Sequence, residues 1–487
     1  MAVPVEALSL DPHAQGTLQV RIQQMIAQGI LAGRLAQGEK LPSTRRLATH
    51  LGVSRITVTL AYTELVAGDY LTSRGRSGYF VSQNAPGPPD FPPLPERQDA
   101  VDWNRALGTR FAARAEALKP MDWARYKYPF VYGQADATLF DHANWRLCAL
   151  RALGARDFNA LTSDYYDQDD PELIAFIARH TLPRRGIHAR PEEILVTMGA
   201  QNALWLAAQV LLTRRRVAAI EDPCYPALRD MLLQARCQLA PVSVDQHGLQ
   251  PDALPDRADV IFATPSHHSP TSATMPIDRR ETLLDRARDM NALIVEDDYD
   301  YEMSFQNSAH PALKSLDRDG RVIYVGSFSK SLFPGLRLGY LVGSEPFIRE
   351  ARARRTSVLR HPPGHIQRTT AYFLGLGHYD ALMRRQARAL HERCTAMGAA
   401  IAEAGLEVVG QTGSGGSSFW MRAPDRIDTR QLADRLRAQS VLIEPGHSFF
   451  SGEDVPRNYY RLGYSSIPTA RIPAGIALIA HAISGSG

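Results

Sequence analysis

Cysteine is scarce. The chain of 487 residues has four, Cys148, Cys224, Cys237 and Cys394. Their spacing suits neither a zinc site nor a disulfide framework, so they read as buried free thiols in a reducing compartment. An overall charge of one sign is also missing: 55 Lys and Arg stand against 51 Asp and Glu, and the net charge of +4 names no partner. No apolar run reaches membrane-spanning length. The first residues lack a basic stretch followed by the apolar core of a secretory signal. These absences predict a cytoplasmic protein without membrane contact and without a metal site.

The charge is balanced but unevenly spread. Residues 15–81 hold Arg21, Arg34, Lys40, Arg45, Arg46, Arg55, Arg74 and Arg76 against Glu39, Glu64 and Asp69, an excess of five positive charges. A local basic excess on a small domain points to nucleic acid. Residues 84–95 read NAPGPPDFPPLP, with six prolines between Pro86 and Pro95. Such a stretch donates few backbone hydrogen bonds and favours extended polyproline II, so it belongs between domains. The chain length also calls for more than one domain. The expected organisation is a small domain over 1–83, a linker over 84–119 and a large domain over 120–487.

Within the small domain, Ser43 suits the N-cap of a short helix with Leu47, Ala48 and Leu51 facing inward. Gly52 supplies a turn, and Ser54 caps a second helix with Val58, Ala61 and Leu65 on one face. Two short helices joined in this way form a helix-turn-helix, whose second helix enters the major groove with its first residues on the bases. Those residues are Ser54, Arg55 and Thr57. The following YLTSRGRSGYFV alternates as a hairpin whose Arg74, with Arg45 on the first helix, reaches phosphates. The patterns LPSTRRLA (41–48) and VSRITV (53–58) resemble the winged helix of the GntR regulators.

The large domain alternates short apolar strands with helical patterns. Strands are expected at 193–197, 217–221, 260–264, 292–296 and 321–327, with helices near 201–212, 226–235 and 279–290. This order implies an α/β fold, a largely parallel sheet with helices on both faces. Beyond about residue 365 the pattern changes to long helices with strands at 417–423 and 458–464, which suggests a small α+β lobe mainly over 365–487.

Lys330 lies in GSFSKSLFPGLRLGY (326–340) after an apolar strand. Lysine forms a Schiff base with an aldehyde, and pyridoxal phosphate is the common aldehyde cofactor. Such a site also needs a carboxylate for the pyridinium nitrogen and a phenol for the ring hydroxyl. Asp297 and Tyr299, in IVEDDYDYE (294–302), lie at another strand end and offer both. Phosphate needs hydroxyls, amides and a fixed positive charge. Ser327, Ser329 and Arg337 suit it, as does the loop Gly199, Ala200, Gln201 opening a helix. Tyr225 is placed to stack on the ring. Singly these residues are commonplace; their joint arrival at strand ends is what points to a site.

Residues from about 120 onward resemble the fold-type I aminotransferases, and the whole chain resembles the MocR subfamily of GntR regulators. The motifs that carry the resemblance are EDDYD (296–300), SFSKSLFPGLRLGY (327–340), TPSHHSPTSATM (264–275) and YYRLGYS (459–465). The resemblance implies that Lys330 carries the cofactor as an internal aldimine, with Asp297 at the ring nitrogen and Tyr299 at the ring hydroxyl. It also implies that Arg461 takes a carboxylate. Three positions depart from the family pattern. His268 stands for a glutamine where effector and ring are contacted, Ser272 stands for a glycine, and Met198 stands in the phosphate loop where a serine is common.

Three functions remain open on these residues. The preferred one is a dimeric transcription regulator on operator DNA that senses an amine or amino acid by forming an external aldimine. The second is an active aminotransferase carrying a DNA-binding head. The third is a regulator that answers to pyridoxal phosphate itself.

Overall fold

The structure, a computed structural model, describes residues 3–11, 15–87, 101–108, 120–134, 136–164, 167–303, 310–410 and 416–485. Most of the proline-rich stretch expected to link the domains lies outside the described residues. The chain divides into two compact units, Met1–Arg114 and Ala115–Gly487.

The first unit includes the helices α1 (Leu18–Leu31), α2 (Thr44–Leu51) and α3 (Arg55–Ala67) and a hairpin of β1 (Leu71–Ser73) and β2 (Tyr79–Val81). Ser43 Oγ caps α2 by accepting from the Arg46 amide, and Gly52 ends that helix at φ 66°. Ser54 Oγ accepts from the Thr57 amide and starts α3. Leu47, Val58, Ala61, Tyr62 and Leu65 join Ile22, Ile26 and Ile30 of α1 in one core, while Leu51 is only partly covered. The buried Tyr62 hydroxyl donates to Pro42 O at 3.0 Å and so is not left unsatisfied. β1 and β2 pair antiparallel from Leu71↔Val81 to Ser73↔Tyr79, forming the wing.

The second unit is built on an eight-stranded sheet. Its strands are β4 (Ile194–Thr197), β5 (Val217–Asp222), β6 (Gln238–Asp245), β7 (Gly248–Leu249), β8 (Val260–Ala263), β9 (Leu293–Asp297), β10 (Val322–Ser327) and β11 (Gly339–Val342). The order is β4-β11-β10-β9-β8-β5-β6-β7. β10, β9, β8, β5 and β6 run parallel. β11 is antiparallel to both β10 and β4, so the sheet is mixed. The reason is the length of the connection. Residues 328–338 are too few for a crossover helix, and the chain turns straight back. That short return carries Lys330 and Arg337, and the Phe328 amide closes it on Leu338 O at 3.0 Å.

Both sheet faces are covered, and alternate residues serve opposite sides as the pleat requires. Leu195, Val325 and Leu341 pack with the helices Ala200–Leu211, Pro226–Gln234 and Glu345–Leu359. Ile194, Val196, Tyr324 and Tyr340 pack on the other side with Pro171–Phe176 and Gly364–Gly375.

The small lobe has a four-stranded sheet in which β13 (Ser418–Arg422) pairs with β16 (Tyr459–Gly463), flanked by β12 (Glu407–Val408) and β15 (Glu444–Pro445). Its core also takes Tyr128 and Phe130 from far upstream. That upstream strand, β3 (Tyr128–Pro129), pairs parallel with β14 (Val441–Leu442). Helix Gly364–Gly375 packs with the large lobe instead. The Gly463 amide donates to Phe130 O at 3.1 Å. A Cβ on Gly463 would lie 2.7 Å from the Tyr132 amide nitrogen and closer still to the Val131 carbonyl. Only glycine lets this upstream segment run against β16. Gly463→Ala is therefore expected to destabilise the second unit by about 1–3 kcal/mol, as overpacking does. A lowered denaturant midpoint checks this, with the winged helix unfolding unchanged.

Candidate functional site

At the carboxyl ends of β9 and β10 lies a cavity of about 270 Å³. Open α/β sheets bind ligands at such an edge. Lys330, Asp297, Tyr299, Ser327, Ser329, Arg337, Ala200, Gln201, Tyr225 and Arg461 all line it. Gly199 stands directly behind, where an added Cβ would sit 3.3 Å from Arg337 Nη2.

The run after β9 sorts its side chains by alternation. Asp297 faces the cavity. Asp298 turns away and pairs with Arg185 Nε at 2.7 Å while accepting from the Tyr324 hydroxyl at 2.7 Å. Tyr299 faces in again, its hydroxyl accepting from Tyr132 at 3.0 Å. Asp300 turns to His267 Nδ1 at 3.2 Å.

Asp297 is buried and its Oδ1 has no hydrogen-bond partner. Burial, then the neighbouring Asp298, Asp300 and Glu221, push its carboxyl well above the usual carboxylate range. The protonated ring nitrogen of pyridoxal phosphate would supply the donor this oxygen lacks. The Lys330 amine is held down to about 8, first by burial and then by the Arg461 guanidinium. Its Nζ stands 4.3 Å from the centre of the Tyr132 ring. A Cβ on Gly133 would collide with it.

The phosphate end is also built. Helix Ala200–Leu211 begins at Gly199 (φ 83°) with no side-chain cap, so its first amides are open to an anion. Ser327 and Ser329 flank the position, and Arg337 Nη2 is steadied by Met198 O at 3.1 Å. The orphaned Asp297 oxygen, the depressed Lys330 amine and this cradle together fit pyridoxal phosphate.

Arg461 lies on β16, buried, with Nε 2.6 Å from Glu444 Oε2. Its guanidinium covers the rings of Tyr132 at 3.8 Å and Phe449 at 4.7 Å. The arginine expected to await a carboxylate therefore already has a counter-ion on its Nε edge, and the residue also lines the cavity. Sequence reasoning missed Tyr132, Gly133, Gln134, Thr264, Ser269 and Glu444. Tyr132 and its neighbours come from a segment with no motif of its own, brought in by β3.

His268 needs correcting. It was expected at the ring and the effector, but it does not line the cavity; Ser269 does. The 264–272 loop folds its imidazole underneath, with Nδ1 2.7 Å from Thr271 Oγ1 and Nε2 3.5 Å from Glu221 Oε2. Burial lowers the imidazole to about 3, so the ring is neutral. Burial raises the Glu221 carboxyl to about 7 despite hydrogen bonds from Thr264.

In the first unit, Arg45, Ser54, Arg55 and Arg74 are exposed and Thr57 is half-covered. The Ser54 and Thr57 hydroxyls are 2.8 Å apart and engaged in the cap. The Arg74 guanidinium stacks 4.7 Å over Phe80, on the wing.

The sequence model of the bacterial regulatory proteins of the gntR family matches residues 18–81. That of aminotransferase class I and II matches residues 140–476. The chain is 57% identical to the HTH-type transcriptional regulator TauR of Rhodobacter capsulatus, over 99% of this chain and 100% of that protein. It is 33% identical to the probable rhizopine catabolism regulatory protein MocR of Rhizobium meliloti, over 79% of this chain and 77% of that protein. The fold matches LysN, the alpha-aminoadipate aminotransferase of Thermus thermophilus, complexed with N-(5'-phosphopyridoxyl)-L-leucine. The TM-score is 0.69 at 26% identity, over 79% of this chain and 99% of that one. Among the described residues no helix is long and apolar enough to cross a membrane. With the domain order, the motifs and these relatives in agreement, the chain belongs to the MocR subfamily of the GntR regulators and is an HTH-type transcription regulator with an aminotransferase class I and II domain.

Proposed function

We propose that this regulator binds operator DNA as a homodimer and senses an amine or amino acid in the cavity of its second unit, with pyridoxal phosphate as the resident group. The observation that carries the reading is the buried, unpartnered Asp297 oxygen in the same cavity as the Lys330 amine. The solved complex of LysN with a phosphopyridoxyl amino acid supports it. Bound there, pyridoxal phosphate supplies an aldehyde that condenses reversibly with amines.

The chain's own residues then divide the work. Asp297 would hold the ring nitrogen, Tyr299 the ring hydroxyl, and Tyr225 a ring face. Ser327, Ser329, Arg337 and the amides at Ala200 and Gln201 would hold the phosphate. Lys330 would hold the aldehyde, and its burial favours the neutral nitrogen that bonding to an aldehyde requires. Arg461 would take an acidic group of the effector through the N–H groups that Glu444 leaves free. A dimer of winged helices suits two DNA half-sites related by a two-fold axis. For the effector to act, it must bind two arrangements of the protein unequally.

Titrating the purified chain with a panel of amines, with product analysis alongside, tests the reading, with Lys330→Ala as the blank. A shift of the absorbance band with one amine and no keto product is expected. Steady turnover would instead make the domain a working aminotransferase. Because Lys330 titrates near 8 rather than at its ordinary 10.5, the cofactor-free protein should capture pyridoxal phosphate faster as pH rises through about 8, then level off. A rate still climbing at pH 10 would contradict the depressed amine. Arg461→Gln should weaken the response to carboxylated amines roughly 10- to 100-fold, the value of hydrogen bonds to a charged group. Simple amines should bind as before.

A further inference from the structure

We propose that α3 reads thymine: its outward face is a methyl surface that docks on thymine C5-methyl groups in the major groove, beside a base edge read by Arg55. The inference rests on the DNA-binding reading of the first unit and names what its second helix recognises.

Helix α3 is apolar on two sides. Val58, Ala61, Tyr62 and Leu65 are buried in the core. On the opposite side Ile56 is 72% exposed and Leu60 is 49% exposed. They are one turn apart and so share a face. The threonines between and beyond them add to it. Thr59 Oγ1 donates to Arg55 O at 2.9 Å, and Thr63 Oγ1 donates to Thr59 O at 3.0 Å. Their hydroxyl hydrogens are spent on the helix itself, so they offer no donor outward and keep a methyl group beside the oxygen.

The polar groups at the start of α3 are partly committed in the same way. Ser54 Oγ accepts from the Thr57 amide at 3.1 Å and lies 2.8 Å from Thr57 Oγ1. One hydroxyl hydrogen of this pair stays uncommitted, and among the first residues of α3 Arg55 is the exposed side chain with several donors for a base edge. Its Nε lies 3.5 Å from the Thr44 hydroxyl.

The surroundings decide the occupant. The methyl face is set in a unit with five excess positive charges over 15–81, and Arg45, Arg55 and Arg74 are exposed. A polyanion suits that setting; an apolar protein surface does not. In the major groove of DNA the one apolar group on a base edge is the thymine methyl. An operator half-site with a guanine opposite Arg55 and thymines beside it matches one guanidinium next to a strip of methyl groups.

The test uses the full chain. Sites are selected from a pool of random double-stranded DNA at fixed salt. Affinity for the selected duplex is then measured with each thymine replaced in turn by deoxyuridine, which removes only the methyl group. At one or more thymines per half-site the wild-type chain should lose about fourfold, the value of one buried methyl. At that position Ile56→Ala should bind both duplexes equally, and Leu60→Ala should do the same at a neighbouring thymine. Both side chains are exposed, so the fold survives truncation, which circular dichroism confirms. A selected site whose thymine methyls are all dispensable overturns the proposal. So do methyl losses that are equal in the wild-type chain and both variants. An Ile56→Ala chain that binds as wild type but changes its oligomeric state also overturns it, since the face would then be covered by protein. Failure to select any duplex would remove the DNA-binding reading as well, which separates the two failures.

Discussion

The cavity depends on one buried ion pair that does not touch it. Arg185 gives Nε to Asp298, Nη1 to His310 O and Nη2 to Ser266, each at 2.7 Å. Burying such a pair costs several kcal/mol per ion unless the remaining donors and acceptors are met. Here most are: Tyr324 adds a bond to the same carboxylate. Burial alone would raise the Asp298 carboxyl, and the guanidinium and phenol more than offset it. One arginine thus joins the 264–272 loop, the end of β9 and the segment at His310. With Asp298 anchored outward, the pleat sends Asp297 and Tyr299 inward.

Inside, the charges are arranged so that few are free. Arg461 is matched by Glu444, Asp300 faces His267, and Glu221 lies under the loop beside a neutral His268. Asp297 and Lys330 both line the cavity, and burial moves the titration of each, as it does for Tyr225 and Tyr299 beside them. Strongly perturbed groups in a cleft mark candidate functional sites. The winged helix follows a different rule. On α3 the Thr59 and Thr63 hydroxyls donate to helix carbonyls, and the exposed face carries Ile56 and Leu60 beside Arg55.

Much of this was legible in the chain. Short continuous apolar runs between helical patterns placed β4, β5, β8, β9 and β10 within a residue or two, because strands buried on both faces and helix periods are both written in adjacent residues. The caps at Ser43 and Ser54 were legible for the same reason. β11 was not read as a strand, and its direction depended on a loop length that matters only once β10 has a place in a sheet. Arg461 was legible as a cation, but Glu444 beside it was not, since its position in the chain carries no sign of the pairing across β15 and β16.

By itself, then, the sequence determined the domain order, the element pattern and the residue types that a lysine-based cofactor site and a helix-turn-helix require. Tertiary structure decided which of those residues meet. It brought Tyr132 to Arg461 and Lys330 through β3 and the close pass at Gly463, and it folded His268 beneath the loop. It also left Asp297 without a partner. Each outcome turns on contacts between segments tens to hundreds of residues apart, whose geometry is set by packing rather than by any local period.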